Sequence, residues 1–377
     1  MYISLYYFIN YTFIGLAITY GPEFYKASGF NSIWIALLVG VQNLGIITIN
    51  PWLHKLLYSG VSRKKLFDIN SAILGLLGAI LLVYPTLPLI FFLSILSSTG
   101  AYALLETSTI ELSERQGLIF SKIRLWGSWG FIFGSFGIAF IPVEHFPIYL
   151  GSFAILTAIL LKLSSTISLS SLDDVIKITK TSYEKFTIKK ELIPIYVGTF
   201  LSWLAHSPLY VLLSLYYLAL GGSKFYISCA WALGVLAEIG IFYLWPHLLK
   251  RFNPYHLFIF SLTVTGIRFI LMSMISNVQM LVSLQILHAI TFGITYLAAV
   301  EIVNRSCEPE FRQKAQSNLL AFGLGTGSFI GRTICGLLVG SLVTVASYQY
   351  VFMTSGIICL VGVIVLVRNH SKYSEIL

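Results

Sequence analysis

Long apolar segments recur along the whole 377-residue chain and alternate with mostly short polar connections. Each segment is about 20 residues long, the length that an α-helix needs to cross the hydrocarbon core of a bilayer. Membrane β-barrels instead show short segments of alternating polarity. The pattern predicts an all-α membrane protein with twelve transmembrane helices in two six-helix bundles. The predicted spans are 3–21, 32–50, 67–85, 87–109, 122–142, 146–164, 192–219, 225–245, 255–275, 278–302, 315–342 and 346–367.

A single long polar connection interrupts the pattern near the middle of the chain. It contains the sequence LDDVIKITKTSYEKFTIKKEL, in which lysines outnumber acids, as expected of a solvated segment that lies on anionic lipid. We therefore predict an N-terminal six-helix bundle at 1–164, a cytoplasmic central loop at 165–191 and a C-terminal six-helix bundle at 192–377.

The two predicted bundles share a weak internal repeat. The sequence VGVQNLGIITINPWLHKLL begins at Val39, and LGVLAEIGIFYLWPHLLKR begins at Leu233. Both stretches belong to the second span of their bundle. Parallel repeats of this kind occur in transporters that bind substrate between two pseudo-equivalent bundles near mid-membrane.

Composition and charge agree with a membrane location. Hydrophobic residues make up 57% of the chain and charged residues only 10%, against about 25% charged in soluble domains. The net charge of +9 does not indicate nucleic-acid binding, because 20 of the 24 Lys and Arg fall on one predicted membrane face. This bias predicts an integral protein of the cell (inner) membrane with both termini cytoplasmic.

Polar residues inside four C-terminal spans are the main candidates for function. They are His206, Glu238, Arg268 and His288, one in each of the seventh to tenth spans. A charged group at the bilayer centre costs about 2.5–3.5 kcal/mol on insertion scales, so such residues usually mark a pathway for solute or protons.

Glu238 is the strongest of these candidates, because its neighbours along the helix are apolar. A carboxyl in such a setting can stay protonated near neutral pH and exchange a proton when its surroundings change. Arg268 stays charged and needs a counter-ion or water, and Glu238, Glu301 or a bound anion could serve. His288 can relay a proton or contact substrate. We interpret Glu301 itself and Arg332, which lie nearer helix ends, as structural.

The N-terminal half offers an acid and an arginine, Glu106 in the fourth span and Arg124 at the start of the fifth. Together they could grip a polar solute, with Arg124 donating hydrogen bonds and Glu106 accepting them. The fifth and eleventh spans also carry glycines at steps of three or four residues, at Gly127, Gly130, Gly134 and Gly137 and at Gly323, Gly327 and Gly331. That spacing permits close helix approach, either for static packing or for sliding.

Four motifs resemble the major facilitator superfamily, in particular its phenylpropionate permease-like branch. They are KIRLWGSWGF at 122–131, GVLAEIGIF at 234–242, LQILHAITF at 284–292 and TYLAAVEIV at 295–303. The chain is also similar to the lactose permease-like oligosaccharide:proton symporters. Both resemblances imply twelve helices, alternating access and no cofactor, with the proton gradient as the source of energy.

The lactose permease resemblance further implies roles for individual residues. Glu106 and Arg124 match that family's sugar-binding pair, and Phe131 matches its ring-stacking aromatic. Arg268 and His288 match its proton-coupling arginine and histidine. Two positions depart from the pattern, because Thr291 replaces the coupling carboxylate and Val235 replaces the acid of the eighth helix. Glu238, one helical turn after Val235, is therefore our candidate for the proton site.

The sequence thus predicts a proton-coupled symporter that imports a small organic solute, which could be an aromatic acid, a nucleoside or a sugar. In this hypothesis Glu106, Arg124, Phe131, His206 and Glu238 bind the solute, and Glu238, Arg268 and His288 couple it to the proton. The alternatives are a proton-antiport exporter, a channel or an inactive homologue. No GxSxG or HExxH motif and no metal-ligand spacing indicates an enzyme. We expect a monomer in the lipid bilayer.

Overall fold

The computed structural model describes residues 2–85, 89, 93–94, 102–118, 120–137, 139, 141–169, 190–340 and 344–368. Within these ranges every regular element is helical and none is a β-strand. The N-terminal part contains α1 (Tyr2–Ala27), α2 (Ser32–Val41), α3 (Leu44–Tyr58), α4 (Arg63–Val83), α5 (Tyr102–Gln116), α6 (Phe120–Gly137) and α7 (Phe146–Ser164).

The C-terminal part contains eight α-helices, two of which directly follow a π-helical stretch. They are α8 (Ile193–Ala219), α9 (Lys224–Leu249), α10 (Pro254–Met274), α11 (Val278–Ser283), α12 (Thr295–Ser306), α13 (Pro309–Leu320), α14 (Ser328–Val339) and α15 (Val345–Arg368). A 3-10 turn, Leu284–Leu287, and a π-helical stretch, Ala289–Ile294, join α11 to α12. A second π-helical stretch, Ala321–Gly327, joins α13 to α14.

The helix ends follow from local sequence. Asn253 caps α10, because its side chain accepts a hydrogen bond from the Tyr255 backbone N–H and Pro254 occupies the first helical turn, where a missing N–H costs nothing. Asn277 caps α11 in the same way through the N–H of Met280. After α8, Gly221 adopts a φ of 79°, a conformation that glycine reaches without steric cost.

Ten helices of the described part are long and apolar enough to cross a membrane. They begin at Tyr2, Ser32, Arg63, Val143, Lys190, Lys224, Pro254, Val278, Lys314 and Val345. The predicted all-α membrane fold is therefore confirmed. The count of twelve stays a prediction: the predicted fourth span, 87–109, falls largely outside the described residues and contributes the start of α5, and the fifth corresponds to the 18-residue helix α6.

Internal packing separates the chain into two compact units. The first comprises Met1–Phe30 and Val41–Ile178, and the second comprises Asn31–Gly40 and Thr179–Leu377. Most of α2 thus packs with the second unit, an arrangement that chain order alone does not indicate. Of the predicted central loop, residues 170–189 lie outside the described part, and the predicted bundle boundaries stay predictions.

Glycine allows helices to pack closely in both units. In the first unit α1 lies against α6, and a Cβ on Gly130 would come within 2.0 Å of the Phe8 carbonyl oxygen. In the second unit α8 lies against α14 and the π-helical stretch before it, and a Cβ on Gly331 would come within 2.3 Å of the Ser207 Oγ. The two pairs join the first and fifth predicted spans of their halves, as the internal repeat leads one to expect. The close approach fits the static packing of these surfaces, and their sliding past each other stays a prediction.

Candidate functional site

An ion pair between Glu106 and Arg124 forms the candidate site of the first unit. The Arg124 Nε donates to the Glu106 Oε1 over 3.0 Å, which links α5 to α6. The guanidinium also lies 4.3 Å from the ring centroid of Tyr11 on α1, a cation–π distance. Both charged side chains keep about a quarter of their surface exposed, 23% for Glu106 and 29% for Arg124. This pair is therefore partly accessible and held by three helices.

Phe131 lies on α6 seven residues after Arg124, so that both occupy one face of the helix. Its side chain is buried, and its backbone abuts Gly15 of α1, where an added Cβ would come within 2.7 Å of the Phe131 carbonyl oxygen. The structure thus places Phe131 near the α1–α6 contact. Its predicted stacking on a solute ring stays a prediction.

Other acids of the described part form ion pairs near helix ends. Glu111 pairs with Arg63 and with Arg115. Asp68 pairs with Lys64 and Lys162, and Glu301 pairs with Arg305 one turn away at 2.7 Å. The alternative that Glu301 is the counter-ion of Arg268 is therefore wrong, whereas its structural interpretation fits this surface pair.

Arg268 is the largest fully buried side chain of the second unit. Its Nη1 donates to the Thr291 Oγ1 over 2.7 Å and contacts the His288 Nδ1 at 3.3 Å, and its Nη2 donates to the Gln285 Oε1. All of these partners are uncharged when His288 is neutral. Among the described residues no carboxylate oxygen lies within 4.0 Å of the guanidinium. The alternative in which Glu238 is the direct counter-ion of Arg268 is thus not present, and His288 contacts both residues instead.

His288 contacts Glu238 across two packed helices. Its Nε2 atom lies 3.9 Å from the Glu238 Oε2. A guanidinium only donates hydrogen bonds, so the Nδ1 that faces Arg268 must be the accepting, unprotonated nitrogen. The hydrogen-bond partners therefore assign the proton of neutral His288 to Nε2, on the side of Glu238. The Glu238 side chain keeps 18% of its surface exposed.

His206 is buried beside a recess on the second unit. Its Nδ1 contacts the Ser202 carbonyl oxygen at 2.7 Å and its Nε2 the Thr291 Oγ1 at 3.4 Å. The recess is polar through hydroxyl groups and aromatic through three rings. Its walls are formed by Thr199, Ser202, Trp203, His206, Phe292, Thr295, Tyr296, Ala299, Leu319 and Leu320.

Two rings of this recess, Phe292 and Tyr296, continue a ladder of stacked rings that begins at His288, which lies outside the recess. His288, Phe292 and Tyr296 follow each other at intervals of four residues, with stacked rings 5.0 and 6.4 Å apart. Trp203 meets Phe292 edge to face at 5.3 Å. Aromatic rings prefer such stacked and edge-to-face arrangements because of their quadrupoles.

The π-helical stretch from Ala289 to Ile294 explains part of this arrangement. A π-bulge adds a residue to the helical turn and shifts the side chains that follow it, and such bulges are frequent at functional sites. Here the stretch carries Thr291, which contacts Arg268, and Phe292, which faces the recess. The periodicity of apolar residues along the sequence did not indicate this π-helical stretch.

A second buried guanidinium belongs to Arg332 of α14. Its Nη1 donates to the Val39 carbonyl oxygen over 2.8 Å, and it lies 4.6 Å from the ring centroid of Tyr210. Tyr210 in turn packs against Trp231 of α9 at 5.6 Å. Arg332 is only 6% exposed, so it is more central than its distance from the helix end suggests.

Sequence reasoning thus found the charged residues but missed their neutral partners. Gln285, Trp203 and Phe292 were not singled out, Tyr210 was considered only as a plausible lining residue, and Thr291 was noted only as a departure. Gln285 precedes His288 by three residues, a spacing that places both on one helix face, and this could have indicated it. The aromatic residues carried no such signal, because aromatics are common in membrane helices.

Buried charged and polar groups within a bundle of membrane-spanning helices define the class of integral membrane transporters. The family model of the MFS_1 like family matches residues 1–350. The chain belongs to this family, and so to the major facilitator transporters.

Relatives of known name support this assignment. The chain is similar to the probable 3-phenylpropionic acid transporter of Escherichia coli (strain K12), with 31% identity over 120 residues, or 32% of this chain. The similar segment spans about a third of that relative, 32% of its length.

Solved structures show the same fold. The nucleoside transporter NupG has a TM-score of 0.79 at 16% identity, over 97% of this chain and 98% of the other. A bacterial homologue of the human lysosomal transporter Spinster has a TM-score of 0.73 at 11% identity, over 97% and 94%. The POT family transporter PepTSo has a TM-score of 0.70 at 10% identity, over 99% of this chain and 98% of the other. These likenesses show that the chain has the fold of these transporters.

Proposed function

We propose that the protein is a proton-coupled symporter that imports a small organic solute by alternating access, and that the solute is an aromatic acid. The observation that carries the proposal is the contact of Glu238 with His288, beside the buried cation Arg268. A carboxylate at membrane depth that faces an imidazole N–H can gain and lose a proton as its surroundings change.

His288 and Arg268 support Glu238 as the proton site. A second proton on His288 would place two cations side by side, because its Nδ1 lies 3.3 Å from the Arg268 Nη1. The proton is therefore held more favourably by Glu238, and Arg268 and His288 tune that site. His206 contacts the same Thr291 hydroxyl that accepts from Arg268, so it belongs to the same network at the edge of the recess.

Two observations favour an aromatic acid over a nucleoside or a sugar. The recess beside His206 carries stacked rings, and the Escherichia coli relative is named for 3-phenylpropionic acid. In the first unit, we propose that Glu106, Arg124 and Phe131 contribute to solute binding. We further propose that the protein is a monomer. The distribution of Lys and Arg along the sequence supports an orientation in the inner membrane with both termini cytoplasmic.

Uptake into proteoliposomes tests this proposal. Vesicles with an alkaline interior should accumulate radiolabelled 3-phenylpropionate faster than matched protein-free vesicles, which measure passive entry of the neutral acid, and a protonophore should abolish the difference. Addition of the acid without a gradient should draw protons in with it, whereas an antiport exporter would move them in the opposite direction. Uridine and lactose serve as probes for the other solute classes. Accumulation that persists after the gradient has collapsed would exclude proton coupling.

A further inference from the structure

Arg332 carries a buried positive charge for which the described part of the chain provides no carboxylate. No acid oxygen of that part lies within 4.0 Å of its guanidinium, and its buried Nε has no hydrogen-bond partner there. Removing a guanidinium from water costs several kcal/mol unless an opposite charge or hydrogen bonds compensate. The guanidinium of Arg332 is therefore suited to bind an anion.

The carbonyl of Val39 compensates this charge only in part. Val39 lies in the last turn of α2, and the C-terminus of a helix carries about half a negative charge from its aligned peptide dipoles. One hydrogen bond of 2.8 Å to that carbonyl uses one of five guanidinium N–H groups. A net positive charge thus remains at Arg332.

An aromatic wall lies next to this charge. Tyr210 stacks under the guanidinium, and Trp231 packs against Tyr210 from α9. Tyr210 is half-buried. A cation beside two aromatic rings has the chemistry to recognise a carboxylate that is attached to an aromatic ring.

We infer that Arg332, Tyr210 and Trp231 form the subsite that holds the carboxylate of the solute. With the rings of the recess, which lies one helical turn away along α8 at His206, this subsite also contacts the aromatic ring of the solute. This inference rests on the proposed function and adds the residues that recognise the carboxylate of the solute. It also gives the coupling a physical basis. Arg268 and Arg332 are two buried cations and Glu238 is one carboxylate, so a proton on Glu238 raises the net positive charge and favours binding of an anion. By linkage, the anion then favours that proton equally.

Binding of three probes to the purified full-length protein tests the subsite. The probes are 3-phenylpropionate, its neutral amide 3-phenylpropionamide, and 3-cyclohexylpropionate, which keeps the charge but lacks the planar ring. We expect the wild-type protein to prefer the acid to the amide. Arg332→Gln should weaken acid binding about 10- to 100-fold, the range for a lost charge-assisted hydrogen bond, and leave amide binding unchanged.

Two further variants separate recognition from a merely structural role. Arg332→Lys keeps the charge and should retain part of the preference for acid over amide, which also covers the case in which Arg332→Gln fails to fold. Tyr210→Leu should reduce the preference for the phenyl over the cyclohexyl probe. Arg305→Gln, which removes an exposed arginine paired with Glu301, is the matched control and should bind all three probes as the wild type does.

The outcomes distinguish the inference from the proposed function. If the wild type shows no proton-driven uptake or binding of the acid, the proposed function fails and the subsite assignment falls with it. If the wild type transports the acid, but Arg332→Gln binds it normally or loses acid and amide equally, only the subsite assignment is wrong.

Discussion

The imidazole of His288 lies between the guanidinium of Arg268 and the carboxylate of Glu238, with its Nε2 atom 3.9 Å from the Glu238 Oε2. The two ring nitrogens of His288 therefore face groups of opposite charge. The contact of Nδ1 with Arg268 determines that the proton of neutral His288 is on Nε2. In the proposed symport mechanism, this relationship favours Glu238 over His288 as the group that holds the transported proton.

Glu238→Gln should abolish proton-driven accumulation and preserve exchange of solute across the membrane. Glutamine has the shape of the protonated carboxyl but cannot release a proton, so it holds the site in its loaded state. Proteoliposome uptake with a pH gradient measures the first property, and counterflow without a gradient measures the second. Glu301→Gln, which affects an acid at the surface, should retain both. Gradient-driven accumulation by Glu238→Gln would contradict the coupling assignment.

Thr291→Asp should give Arg268 the carboxylate partner that the described part of the chain lacks. The Thr291 hydroxyl accepts from the guanidinium at 2.7 Å, and a charged acceptor strengthens such a bond to about 1.5–3 kcal/mol. We expect a higher melting temperature than for Thr291→Asn, which has the same shape without the charge. Uptake by Thr291→Asp should fall, because a fixed ion pair removes the charge with which Arg268 acts on Glu238. Equal melting temperatures for the two variants would contradict this account.

Trp203→Ala should weaken binding of aromatic solutes in particular. Trp203 forms one wall of the recess and meets Phe292 edge to face. Such a ring contact contributes about 0.5–1.5 kcal/mol beyond its buried area, so the KM for 3-phenylpropionate should rise roughly threefold to tenfold. The KM for 3-cyclohexylpropionate should change less. Trp126→Ala, which removes an exposed tryptophan of α6, is the control. An equal rise of the KM for both solutes would show that the recess does not recognise the planar ring.

Glu106→Gln should raise the KM for uptake with little loss of stability. The Glu106–Arg124 pair keeps about a quarter of its surface exposed, and partly exposed ion pairs contribute roughly 0–1 kcal/mol to stability. Removing the charge should therefore leave the melting temperature nearly unchanged. Glu111→Gln, five residues further along α5, removes an acid held by two arginines and should leave the KM unchanged. A normal KM for Glu106→Gln would remove this residue from the binding site.

Gly130→Ala should destabilise the first unit. The added Cβ would come within 2.0 Å of the Phe8 carbonyl oxygen, and α1 would have to move away from α6. Overpacking of this kind costs about 1–3 kcal/mol or more. Gly137→Ala on the same helix meets no described atom within 4 Å and should be neutral. Fluorescence-detected size-exclusion chromatography and a thermal melt measure both variants, and equal stability would show that α1 and α6 tolerate separation.

The regularly spaced glycines show what residue spacing can predict and what it cannot. Steps of three and four residues placed Gly127, Gly130 and Gly134 on one helix face, and the structure places that face against α1. The partner helix did not follow from the spacing, because a smooth face fits any neighbour of suitable shape. The same limit applies to charge: a lone Arg268 in an apolar run indicated a buried network, but not which side chains complete it.

The sequence by itself determined the all-helical membrane fold, the family, and the positions at which a charge interrupts an apolar segment. Helical periodicity and the cost of burying charge are local properties, and both can be read along one chain. Only the tertiary structure decided that Arg268 is bonded to Gln285 and Thr291, that Glu238 meets His288 instead, and that Arg332 lies over Tyr210. These contacts depend on how each helix is rotated about its axis and on the π-helical stretch that shifts Thr291. Rotation and shift are settled by packing between segments that are distant along the chain.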